Sequence, residues 1–187
     1  MDKPLLRKYA AQMISEFALK VLKLKPDTTK KCVFDDISNE PEDVQYYIVL
    51  SCQLGIMGLD YYGNPDTSFI PDYTLKRDQF ITVISRMLRW EKYNILTGEI
   101  TTADMIHNFA QKTRGKILYL FGISYTPNVK ISWYSKHLDA VKKLSVITDY
   151  NPAITETRGY VMVTLKRIYK KELKDWVLSL QDKRIED

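Results

Sequence analysis

Lys76-Arg77-Asp78-Gln79-Phe80-Ile81-Thr82-Val83-Ile84 sets an arginine just ahead of apolar residues at helical spacing. Phe80, Val83, Ile84 and Met87 fall on one side of a helix predicted from about Leu75 through Trp90. The same order recurs at Leu6-Arg7-Lys8-Tyr9-Ala10-Ala11-Gln12-Met13-Ile14 and at Thr157-Arg158-Gly159-Tyr160-Val161-Met162-Val163-Thr164-Leu165. Self-similarity of this kind is the mark of a repeat architecture. Ahead of the second and third copies lie two further helical patterns, predicted from Asp43 to Ile56 and from Trp133 to Val146. Each leads through a proline-containing loop to its arginine. The unit is therefore helix, loop, arginine-led helix, and the fold class is all-α.

An arginine in the first turn runs against the helix dipole, which disfavours cations there. Its repetition predicts a dedicated role, either a tie to a loop carboxylate or contact with an external anion. A degenerate fourth copy stands at Ile100-Thr101-Thr102-Ala103-Asp104-Met105, with Thr102 in the arginine place.

Working outward, the first helix is predicted from Pro4, a residue suited to a first turn, and ends before Lys25-Pro26, since proline disfavours helix in the residue before it. Gly55 and Gly58 read as the stop of the second helix. Asp60 to Ser68 is a turn-rich connection. Thr101 to Asp104 reads as an N-cap, and the last helix runs from about Arg158 into the charged C-terminus, with a break expected near Lys170.

Composition narrows the class. The 187 residues are 45% hydrophobic, with only 7 Gly and 7 Pro, which excludes collagen-like and low-complexity chains and predicts an ordinary soluble, folded protein. Lys+Arg number 28 against 23 Asp+Glu, a net charge of +5, interleaved and without one basic block. That balance permits anionic polymers without demanding nucleic acid. No stretch approaches the ~18 apolar residues of a membrane span, and Met1 to Lys8 lacks the apolar core of a signal peptide. A protein of this sequence working outside the cell would thus be a mature or excised piece. Cys32 and Cys52 are too few for a disulfide framework or a zinc site, and two readings stand: one disulfide, or two half-buried thiols.

Four linked motifs carry a resemblance. Phe34-Asp35-Asp36-Ile37, Leu54-Gly55-Ile56-Met57-Gly58, Phe69-Ile70-Pro71 and Lys76-Arg77-Asp78-Gln79-Phe80 follow one another in an order and spacing that resembles the S-layer homology family. The resemblance covers about residues 32 to 90 well and 133 to 169 moderately, while 1 to 24 match only the second helix of a repeat. It implies one domain over 1–187, divided into a partial repeat (1–31), a repeat (32–92), a connecting helical segment (93–131) and a repeat with a C-terminal helix (132–187). It further implies a three-pronged helical bundle.

By that resemblance the chain is a non-enzymatic, extracellular cell-surface module that anchors a surface-layer or envelope protein to an anionic secondary cell-wall polysaccharide. Arg7, Arg77 and Arg158 match the family's arginine, Trp133 its tryptophan and Asp36 its loop aspartate, so these are the implied carbohydrate-binding residues. The chemistry is apt, since arginine grips a carboxylate with two parallel hydrogen bonds. The tryptophan place of the second unit holds Asp43, which removes an aromatic wall there. The alternative is a structural or self-assembly protein of a surface layer, in which the arginines hold repeats or subunits together and no glycan binds.

Other chemistry finds little support. His107 and His137 lie on separate segments without ligand-spaced partners, so no metal and no cofactor is expected. No nucleophile elbow, H-E-x-x-H or phosphate-cradling loop occurs. The acidic run Asp35, Asp36, Glu40, Glu42, Asp43 lacks the order of a calcium loop. Lys166, Arg167, Lys170, Lys171 and Lys174 form a basic stripe interrupted by Glu172 and Asp175, which reads as a solvated face.

Overall fold

The computed structural model describes residues 3–60, 63–88 and 135–183. The expected helix start at Thr101 to Asp104, the degenerate copy at Thr102, His107, Trp133 and the segment 93–131 lie outside them. The described chain is mostly helical, with α1 Arg7–Lys20, α2 Glu42–Gln53, α3 Arg77–Met87, α4 Ser135–Leu144 and α5 Arg158–Lys183. No described helix is long and apolar enough to cross a membrane.

α1 and α3 begin later than their apolar patterns. Pro4 is not in a first turn; it forms a β-bridge with Thr157, and α1 starts at the arginine. α3 and α5 also start at their arginines, and α5 continues unbroken past Lys170. The reason is shared. The residues just ahead of each arginine are drawn into extended pairings: Pro4 with Thr157, Leu6 with Thr74, and Lys76 with Thr155.

These pairings close a ring. Leu5 N–H donates to Glu156 O at 2.9 Å, Glu156 N–H to Leu75 O at 2.8 Å, and Leu75 N–H to Leu5 O at 2.8 Å. Each of the three residues stands two positions ahead of an arginine. The ring also answers how the helix starts are satisfied, because the first N–H groups of a helix lack partners within it. Arg7 N–H donates to Tyr73 O at 2.9 Å, Lys8 N–H to Pro71 O at 3.1 Å, and Arg77 N–H to Ile154 O at 2.8 Å. Carbonyls of the neighbouring unit thus do much of what an N-cap side chain would do: Leu6 gives α1 no side-chain cap, while at the start of α3 the Gln79 side chain accepts from Lys76 N–H at 3.1 Å.

Away from the ring the helices pair. α1 packs on α2, and Ala10, Ala11 and Ala18 of α1 and Ile48 and Cys52 of α2 are all buried. α3 packs on α4. α2 ends as its glycine predicts: Gly55 takes φ +72° while its N–H reaches Cys52 O and the Ile56 N–H reaches Ser51 O, the Schellman pattern. Cys32 and Cys52 are joined, with a Cα–Cα distance of 6.0 Å, which settles the two cysteine readings in favour of the bridge. The basic stripe is only partly solvated, since Arg167 and Lys171 turn back to donate to Val146 O and Leu144 O at the end of α4.

Candidate functional site

The ring sets the three repeated arginines at matched positions, yet the side chains meet different surroundings. Glu156, the partner of Arg77, stands two ahead of the next arginine around the ring, and the corresponding residues are Leu75 for Arg7 and Leu5 for Arg158. At those corresponding positions one arginine has a glutamate and two have leucine.

Arg77 is 3% exposed and is consumed internally. Its Nε and Nη2 donate to the two carboxylate oxygens of Glu156, its Nη1 donates to Asp149 O at 2.6 Å, and its guanidinium lies 3.9 Å from the Tyr160 ring centroid. Burial pushes the Glu156 carboxyl up, and Arg77 opposes that shift. Arg77, expected as a glycan contact, ties helix to loop. A buried ion pair fixes geometry more than it adds stability, because two charges must be desolvated.

Arg7 is different. Only its Nε is engaged, by Phe69 O at 2.8 Å, and its guanidinium lies over the Phe69 ring at 4.9 Å. Burial lowers its pKa, with Asp36 and Asp66 working against the shift. No ion pair within 4.0 Å reaches it among the described residues. Arg7 lines a pocket of about 520 Å³ together with Arg86, Asp66, Tyr73 and Gln79. Arg86 sits deeper, 8% exposed, with Nη2 donating to Asp60 O at 2.7 Å. Tyr73 is 44% exposed and lines the pocket. Two guanidinium groups, an exposed aromatic ring and side-chain amide and carboxylate groups form a set suited to an anionic, hydroxyl-rich ligand.

Arg158 is exposed at the first turn of α5 and makes no side-chain hydrogen bond or ion pair to another described residue. Asp36 does not project to a ligand. Its carboxylate accepts from Ser68 Oγ at 2.6 Å, Phe69 N–H at 2.8 Å and Ile70 N–H at 2.7 Å. Partial burial acts against ionisation, but these three donors outweigh it and hold the carboxyl below its ordinary value. The brace explains Ile70, whose φ of +55° is strained for a β-branched residue. Asp36 is thus a positioning residue that fixes Phe69 under Arg7 and Ile70 at the pocket.

His137 is buried and lines the same pocket. Among the described residues no three His, Cys, Asp or Glu side chains cluster as metal ligands.

No family model, curated protein or solved structure matches the chain.

Sequence reasoning brought Arg7 and Arg158 forward and missed Glu156, Arg86, Tyr73 and Gln79. For Glu156 a signal was present: aligning the three arginines puts Glu where the other copies have Leu. For Arg86 none was, because a cation in the last turn of α3 is the ordinary dipole preference.

Proposed function

We propose that the chain is a non-enzymatic cell-surface module of S-layer homology type, anchoring a surface-layer or envelope protein to an anionic secondary cell-wall polysaccharide. Its units pack as prongs around the ring, and the ligand enters between them. The observation that carries this reading is Arg7: a partly buried cation without an ion pair among the described residues, lining an open pocket beside Arg86 and Tyr73. A partly desolvated guanidinium gains most from an incoming carboxylate, which it can grip with two parallel hydrogen bonds. The Cys32–Cys52 bridge supports an oxidising location.

The test is co-sedimentation of the chain with Gram-positive-type walls before and after the attached polysaccharide is stripped. Binding is expected to intact walls only, and to weaken in Arg7→Ala and in Arg158→Ala while helicity persists. Equal binding to stripped walls would refute the reading. The Arg77–Glu156 pair favours a second reading, in which the arginines only hold units together and the chain self-assembles. That reading predicts loss of thermal stability or assembly in the same variants, without wall binding at the outset.

A further inference from the structure

The three arginines are equivalent by position and unequal by environment, and the inequality has a pattern. Around the ring Arg77 N–H donates to Ile154 O as Arg7 N–H donates to Tyr73 O, each acceptor standing four residues ahead of the next arginine. Glu156 pairs with Arg77, and the corresponding places for Arg7 and Arg158 hold Leu75 and Leu5. Tyr160 lies over Arg77, and the corresponding place for Arg7 holds Gln79, two residues past the next arginine in both cases. A leucine side chain accepts no hydrogen bond, and glutamine is smaller than tyrosine. At the Arg7 position there is a pocket of about 520 Å³. The Arg77 position is the one where the arginine is 3% exposed and the neighbouring carboxylate 0% exposed.

We infer that Glu156 is a resident counter-ion that silences one of three equivalent anion positions, so that the chain presents anion-receptive arginines at Arg7 and Arg158 and a self-neutralised one at Arg77. The ligand clause rests on the wall-anchoring reading; the counter-ion assignment does not. Bidentate pairing with a carboxylate is what an arginine fork is shaped for, and Glu156 supplies it from within. Both partners are buried, so the pair is shielded from solvent screening and an outside anion would have to displace a carboxylate already in place.

Arginine labelling of the folded chain with phenylglyoxal, read by peptide mass spectrometry, tests the assignment without a glycan. Arg7 and Arg158 are expected to react, and Arg77 to react about tenfold more slowly or less. Glu156→Gln should raise the Arg77 rate toward that of Arg7. The reciprocal variant Leu75→Glu, which places a carboxylate beside Arg7, should slow Arg7 labelling by a similar factor. In wall co-sedimentation, Arg77→Met combined with Glu156→Leu should bind as the wild type does. Arg77 reacting as fast as Arg7 in the wild type would overturn the assignment. So would unchanged labelling of Arg77 in a folded Glu156→Gln and of Arg7 in a folded Leu75→Glu, or loss of wall binding in the double variant. If the wild type binds no walls, the anchoring reading falls and the labelling pattern alone decides the counter-ion.

Discussion

Gly58 takes φ +68°, and a Cβ built there would stand 2.6 Å from Phe34 Cζ and 2.9 Å from Phe34 Cε1. Phe34 is itself packed edge-on against Phe69, with ring centroids 5.6 Å apart, and Phe69 lies beneath Arg7. Gly58→Ala should therefore combine backbone strain with overpacking and cost about 2 kcal/mol or more, measured as a lower urea midpoint. Pocket binding should weaken with it, since the displaced Phe34 ring packs against Phe69, the ring beneath Arg7. Asp36 carries a pH dependence. Its carboxyl is held below the ordinary value of 3.8 by three donors, so its contribution is present above that value and lost as pH falls through the lower, folded value. Asp36→Asn should flatten the acid limb of the stability curve in that window, checked by thermal melts from pH 5 downward. An unchanged acid limb would remove Asp36 from its bracing role.

At the scale of elements, the disulfide joins the segment that bears Phe34 and Asp36 to α2. It closes a loop over a sequence separation of 20 residues. Constraining an unfolded loop of that length is worth about 3 kcal/mol, so reduction should lower stability by about that amount in denaturant melts with and without reductant. The loop that braces Ile70 should loosen first, visible as faster amide exchange at Phe69 and Ile70. The helices themselves were largely legible in the sequence. Apolar spacing placed α1 and α3, and Gly55 marked the end of α2, because these are consequences of local periodicity and backbone conformation. Helix starts were less legible: Pro4 and Leu75 lie in the ring and not in a first turn, since their pairing partners are distant in sequence.

For the molecule as a whole, the ring ties the starts of α1, α3 and α5 to one another, so damage to one segment should be felt by all three. Leu5 is 4% exposed at that centre. Leu5→Ala should cost about 2–5 kcal/mol. It should also raise amide exchange at Leu75 and Glu156 as much as near Leu5, within one cooperative transition. Separate transitions for the segments would contradict a shared centre. The sequence by itself determined the helical class, the repeat of arginine-led helices and the candidate arginines, because periodicity and internal similarity are properties of a chain read along its length. Only the tertiary structure decided which arginine is already neutralised, which lines a pocket, and that Asp36 braces a loop. Those outcomes depend on which residue lies beside which across the ring, and a carboxylate 79 residues from its arginine becomes a partner only when the chain closes on itself.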